Sequence, residues 1–298
     1  MKYLSFLYVV IIMALLILGT AIVNIDVTKR SSTPNRKIVA SHVKSALTSN
    51  NAKLVTSPSV KIYAITSTYK RPEQKAELTR LSHMIKHIPS FHWVVIEDSK
   101  GKTPLVSNFL KKSGLNVTHL CKKNGKRIGH GPKDLLTRNF ALNWVRNHLA
   151  RKEKGIVYFM DDDNTYDLRL FEEMRTTKIA AVWPVGLVGK VLYEGPVVCR
   201  GERVQKWRTG WKVEKRKFKV DMAGFCVHTD LLLQKPDVTF KDVATLEDDF
   251  LVDLGLTPKT IEGKHCDEVL VWHTRTEVTN ISHEKYAIAR YNATLIEV

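Results

Sequence analysis

Three consecutive aspartates, Asp161, Asp162 and Asp163, stand directly behind the apolar run GIVYFM, in the stretch YFMDDDNTY from Tyr158 to Tyr166. Carboxylates crowded in this way repel one another unless a cation joins them. Hard oxygen ligands that leave room for water and phosphate oxygens suit Mg2+ or Mn2+. The plainer alternative is an acidic turn, because Asp and Asn favour loops in any protein. The run before the aspartates separates the two readings: its β-branched and aromatic residues have the composition of a buried strand. Open α/β sheets bind ligands beyond the carboxyl ends of such strands.

The elements that would position the aspartates follow from periodicity. VKIYAIT, after Pro58, reads as a buried strand, and the next segment sets Leu78, Leu81, Met84, Ile85 and Ile88 at helical spacing. FHWVVIED is a second strand. KTPLVSNFLKKSG follows, with Thr103 as cap, Pro104 as first helical residue and Gly114 as stop. LNVTHL gives a third strand, and the amphipathic DLLTRNFALNWVRNHLA leads into GIVYFM. This alternation predicts a doubly wound α/β sheet, with the loops beginning at Thr66, Glu97 and Asp161 as the candidate nucleotide site. Past Asn164 the pattern becomes a helix, LRLFEEMR, a strand, KIAAVWPVG, Gly-punctuated strands through DMAGFCVHTDLLL, a helix, EDDFLVDLG, and a strand, EVLVWHT. That predicts a mixed second half sharing one sheet with the first.

The 298 residues begin with a segment between Lys2 and Asp26 that carries no charge. It exceeds the roughly 20 residues needed to cross a bilayer, and the apolar region of about 7 to 15 residues typical of a cleaved signal peptide. The reading is a cytosolic tail at 1–2, a signal-anchor helix at 3–24, a Ser- and Thr-rich stem at 25–59 and a body at 60–298. Lys29, Arg30, Arg36 and Lys37 follow the anchor, which taken alone argues for a cytosolic body. Three glycosylation sequons, at Asn116, Asn280 and Asn292, argue for a lumenal one. Cys121, Cys199, Cys226 and Cys266 form no CxxC pair; they allow one disulfide and require none. The net charge is +17, and basic residues concentrate between Cys199 and Val220. An anionic partner is implied. No nucleic-acid module accompanies the patch, which leaves nucleotide diphosphates and acidic glycans, or a solvated surface with no ligand.

AITSTYKRPEQKAELTRL, HWVVIEDS, TRNFALNWVR, YFMDDDNTY, WPVGLVG, TGW, VDMAGF, EDDFL and VLVWHTRTE occur in that order. Over 60–298 the chain thereby resembles the animal β-1,3-glucuronosyltransferases. The resemblance implies a GT-A fold with a UDP-binding half at 60–164 and an acceptor-binding half at 165–298. It also implies an anchored Golgi homodimer that uses Mn2+ to transfer glucuronate from UDP-glucuronate, with inversion, to the 3-OH of a terminal galactose on a proteoglycan linkage region, a glycoprotein or a glycolipid. On the donor side, Tyr69 would stack on uracil, Asp98 would bond its edge, and Asp161 and Asp162 would contact ribose and sugar. Asp163 would ligate Mn2+, and Lys133, Arg138, His273 and Arg275 would hold the anionic groups. His273 and Arg275 would share one side of an extended segment. On the acceptor side, Trp211, Arg216 and Asp221 would bind the galactose. Glu247 would be the general base, selected by the resemblance over Asp248 and Asp249. Three departures from the family pattern stand out: Lys133 replaces an arginine, the segment from Trp211 to Asp221 is one residue longer, and Lys206 replaces a small residue before Trp207. The last two lie on the acceptor side and point to an acceptor other than that of the proteoglycan-linkage enzyme. The rival readings are a transferase of the same fold with another donor sugar, and a catalytically weak glycan-binding protein.

Overall fold

The computed structural model describes residues 60–125, 134–149, 154–211 and 215–285. The anchor, the stem, Lys133 and Asn292 lie outside the described residues. Among the described residues no helix is long and apolar enough to cross a membrane.

The first half runs β1 (Lys61–Thr68), α1 (Gln74–Ile85), β2 (Phe91–Glu97), α2 (Pro104–Ser113), β3 (Val117–Cys121), α3 (Leu135–His148) and β4 (Gly155–Phe159). The four strands are parallel, in the order β3-β2-β1-β4. Both faces are covered, which explains the continuous apolar runs. Tyr63, Ile65, Val94, Ile96 and Phe159 pack with Ala141, Leu142 and Val145 of α3. Ile62, Ala64, Trp93 and Tyr158 pack with Leu78 and Leu81 of α1 and Val106 and Leu110 of α2. The ends of α2 are those its sequence specifies: the Thr103 hydroxyl accepts the Val106 N–H at 3.5 Å, and Gly114 sits at φ 69°.

From β1 the chain steps outward to β2 and β3, then crosses to the other flank of β1 for β4. That reversal is a topological switch point, where the strand ends diverge and leave a crevice. Ile65 stands opposite Phe159, and the Met160 N–H bonds the Ile65 carbonyl at 2.8 Å. The loops carrying Tyr69 and the three aspartates therefore emerge side by side.

The second half continues the same sheet with short strands. They are β5 (Thr165–Tyr166), β6 (Ala180–Val182), β7 (Val185–Gly186), β8 (Tyr193–Arg200), β9 (Arg203–Arg208), β10 (Phe225–His228), β11 (Glu262–Gly263) and β12 (Val271–Trp272). Between them lie α4 (Leu168–Arg175), a 3-10 turn (Met222–Gly224), α5 (Thr229–Gln234) and α6 (Leu246–Asp253). Beyond β4 the order is β10-β6-β11-β9-β8-β7-β12-β5, which among the described residues completes a sheet of twelve strands.

Three sequence expectations are corrected. KIAAVWPVG is two strands, β6 and β7, broken at Trp183-Pro184, where proline has no N–H for a ladder. DLLL is the helix α5, because the His228 ring accepts the Asp230 N–H at 3.2 Å and caps it. EVLVWHT is a strand only at Val271–Trp272. Cys199 and Cys266 form a disulfide between β8 and the loop before β12, while Cys121 and Cys226 are free thiols.

Candidate active site

Beyond the ends of β1, β2 and β4 lies a cavity of about 430 Å3, lined by Tyr69, Asp98, Asn124, Asp134, Arg138, the three aspartates and His273. Tyr69 leaves the end of β1 more than half exposed, at 56%. Asp98 follows β2, and Thr103 rather than Asp98 caps the next helix. The Asp98 carboxylate accepts the Asn124 N–H at 2.9 Å and pairs with Lys123 at 3.1 Å. Partial burial opposes its ionisation, but these partners hold it below the usual carboxylate range.

The three aspartates are not equivalent. Asp161 accepts from the Arg138 guanidinium at 2.6 Å, and Arg138 also bonds Asp134. Asp162 is buried and pairs with Arg71 at 2.8 Å. Burial pushes the Asp162 carboxyl up to about 6, with Arg71 pulling it back. Asp163 has no arginine within pairing distance among the described residues, and burial and then Asp161 raise its pKa. Two of the three negative charges are thus matched by protein cations and the third is left over.

That leftover charge fits a divalent cation. Among the described residues no three His, Cys, Asp or Glu side chains converge on one point. An ion at Asp163 would complete its shell with water and phosphate oxygens, as Mg2+ and Mn2+ commonly do. The Thr274 hydroxyl bonds the Asp163 carbonyl at 2.6 Å and holds the segment after β12, with His273, against the aspartate loop.

A second cavity, of about 230 Å3, is lined by Glu194, Trp211, Arg216, Val220, Asp221, Leu246, Glu247 and smaller apolar groups. Arg216 is buried; it pairs with Glu194 at 3.1 Å and donates to the Val220 carbonyl at 2.7 Å. Trp211 is 47% exposed and presents its ring to this cavity rather than to the core. Gly210 makes that placement feasible, since a Cβ there would lie 2.1 Å from the Gly189 carbonyl oxygen.

Three acids open α6, and their neighbours separate them. Asp248 accepts the Phe218 N–H at 2.6 Å, and Asp249 accepts the Thr245 hydroxyl at 2.6 Å. Glu247 is the one that lines the cavity. Burial, and then the negative charge of Asp221, push its carboxyl up to about 8, against the pull of Arg216 and Arg138. A carboxylate so disposed is a stronger base than an exposed one.

The cavities meet where His273, from the first, lies 3.7 Å from Asp221, from the second. Asp221 bonds the Ala223 N–H at 3.1 Å with its other oxygen, and burial raises its pKa while His273 lowers it.

Arg275 does not reach either lining and is exposed. Its expected alternation with His273 needs an extended strand, and β12 ends at Trp272. Asn116 and Asn280 are exposed.

Two residues of the site are inconspicuous in the sequence. Arg71 stacks over Tyr69, 4.5 Å from the ring centroid, and also bonds the Tyr69 carbonyl at 3.3 Å. Its only signal is a guanidinium in a loop leaving a strand end. Glu194 is 2% exposed, and the signal was a lone acid inside the strand LYEGP.

The glycosyltransferase family 43 model matches residues 81–277. The chain is 45% identical over 239 residues to galactosylgalactosylxylosylprotein 3-beta-glucuronosyltransferase 2 of Canis lupus familiaris, covering 76% of this chain and 71% of that protein. The human protein of the same name is 45% identical over 234 residues, covering 75% and 71%. Galactosylgalactosylxylosylprotein 3-beta-glucuronosyltransferase 1 of Rattus norvegicus is 43% identical over 232 residues, covering 72% and 69%. Among solved structures, S. aureus TarS 1-349 is alike in fold, with TM-score 0.50 and 18% identity over 72% of this chain and 60% of that one.

Proposed function

The chain belongs to glycosyltransferase family 43, and from that premise we propose that it transfers glucuronate from UDP-glucuronate, with inversion, to the 3-OH of a terminal galactose. The acceptor class is the galactosylgalactosylxylosyl glycan named for its relatives. The observation that carries this reading is the meeting of two cavities, one walled by paired arginines and aspartates and the other holding a half-buried carboxyl of raised pKa.

In this reading the fold is of the GT-A kind and the larger cavity takes UDP-glucuronate. Tyr69 stacks on uracil, Asp98 accepts from its edge, and Asp161 and Asp162 bond ribose and sugar hydroxyls. Arg138 and His273 face the diphosphate, and charged donors of this kind suit its oxygens. Arg275 and Lys133 belong to the same proposal as further cations on the donor side. Asp163 would hold Mn2+, whose chemistry when bound is neutralisation of the negative charge that grows on departing UDP.

The smaller cavity takes the galactose. Its C–H face packs on Trp211, and Arg216 and Asp221 orient its hydroxyls. Glu247 accepts the 3-OH proton as that oxygen forms its bond to the anomeric carbon and the bond to UDP breaks on the opposite face. Such a base contributes about 10^2 to 10^4 in rate. The proposal also includes a type II signal anchor in the Golgi membrane, a lumenal body with sequons at Asn116, Asn280 and Asn292, and a homodimer.

The test supplies Mn2+, UDP-glucuronate and a galactoside and measures released UDP. Release is expected to require all three, with UDP-glucose giving little. Release that ignores the galactoside would overturn the reading.

A further inference from the structure

The larger cavity carries more negative charge than an anionic donor would favour. Asp98, Asp134, Asp161, Asp162 and Asp163 all line it. Lys123 pairs with Asp98 and Arg71 with Asp162, and Asp163 is the carboxylate left for a cation. Among the described residues, Asp161 and Asp134 share the guanidinium of Arg138. Two carboxylates on one cation leave a negative charge over, beside the group proposed to face the diphosphate.

Helix capping does not account for Asp134. It directly precedes α3, where an aspartate ordinarily accepts an N–H of the first turn, but its side chain makes no cap hydrogen bond. The Thr137 N–H goes instead to the Asn124 side-chain oxygen at 3.3 Å. The backbone of Asp134 is held, since its carbonyl accepts the Thr137 hydroxyl at 2.6 Å and the Arg138 N–H at 2.9 Å. Its carboxylate is thereby aimed one turn along the helix, at Arg138 Nε, while Asp161 takes Nη2 at 2.6 Å. The partners differ in exposure. The Arg138 side chain is 9% exposed and that of Asp134 26%. A carboxylate at the cavity wall turns to water readily, whereas a buried guanidinium left unpaired does not.

Resting on the proposed binding of the donor in this cavity, we propose that Asp134 is a displaceable counter-ion that competes with the diphosphate for Arg138. It yields the guanidinium as the donor enters and takes it back as UDP leaves, while Asp161 keeps Arg138 in place throughout. Asp134 is thus a positioning residue that acts through Arg138. Its charge lowers donor affinity. The same competition speeds the loss of UDP, because tight hold on a product slows its departure and release limits turnover in many enzymes.

The experiment measures binding of UDP and of uridine, which lacks the phosphates, by calorimetry in the presence of Mn2+. Asp134→Asn keeps the shape and an acceptor for Arg138 Nε but removes the charge. It is expected to bind UDP about tenfold tighter than wild type, with uridine affinity unchanged, and in turnover to lower the donor KM and kcat together. Asp134→Ala, which removes the acceptor as well, is expected to gain less. Unchanged uridine affinity reports an intact fold; if Asp134→Asn loses it, Asp134→Ser, which can cap α3, carries the same comparison. UDP affinity equal to or weaker than that of wild type overturns the counter-ion, because Asp134 is then a brace for Arg138. So does a gain that extends equally to uridine, which offers no phosphate to compete. Tighter UDP with kcat unchanged overturns the part in release. Wild-type protein that binds neither UDP nor uridine overturns the donor cavity itself, and the counter-ion with it.

Discussion

At the ends of β1 and β4, Asp161 and Asp162 are each met by an arginine, at 2.6 and 2.8 Å. At the start of α6, Glu247 is half-buried with no cation in contact among the described residues, and its carboxyl is pushed up to about 8. The two cavities thus treat buried carboxylates in opposite ways. On the proposed function, the cavity that would hold an anionic donor has its negative charge cancelled in advance, with one aspartate left that could take a cation. Where a proton must be taken, the carboxylate is left uncompensated, so that its basicity is high. On the proposed function, placement of arginines would separate a binding platform from a base, although both are built from the same residue types.

Substitutions that disturb one cavity and spare the other would sharpen or break that division. The largest effect is expected for Glu247→Gln, which should lower kcat about 10^2- to 10^4-fold. Affinity for UDP-glucuronate, measured by calorimetry, should be unchanged; a matching loss of donor affinity would mean that the two cavities are not functionally distinct. Tyr69→Ala should do the reverse. Loss of a stacking face costs about 1–3 kcal/mol, so the donor KM should rise by about 5- to 150-fold, with the acceptor KM retained.

The pH dependence follows from the sign of the Glu247 shift. As the proposed base Glu247 would work ionised, and its pKa lies above the ordinary carboxylate value. Acceptor kcat/KM at saturating donor should therefore climb with pH up to about 8, losing about tenfold per unit below it. A profile flat down to the ordinary carboxylate range would assign proton removal elsewhere. Arg71→Ala should raise the donor KM by about tenfold, because it uncovers Asp162 and frees the Tyr69 ring together. Arg71→Lys, which keeps the charge but not the planar fork, should recover only part of it; full recovery would mean that the stacking is incidental.

The division between legible and hidden features has a physical basis. The parallel half could be read because β1 to β4 are buried on both faces, and each helix between them carries a cap, a stop or a clean apolar stripe. Thr103 and Gly114 are examples. The second half resisted because its strands are as short as two residues, too short for a period of two to register. Its pairing is set by long-range contacts such as β11 with β6 and β12 with β7. The aspartates announced themselves by standing at a strand end. The resemblance was needed to bring Glu247 forward, since three acids at a helix start look alike until Phe218 and Thr245 claim two of them. Arg71 and Glu194 stayed hidden because their meaning lies in partners, Asp162 and Arg216, that are distant in sequence.

The most direct test of the central claim is the stereochemistry of the product. Protein supplied with Mn2+, UDP-glucuronate and a galactosylgalactosylxyloside should yield glucuronate attached through a β linkage to O3 of the terminal galactose, read by NMR from the anomeric coupling and the shifted C3. An α-linked product would require retention, in which no single base facing the departing UDP suffices, and would contradict the assignment of Glu247 and of the two cavities.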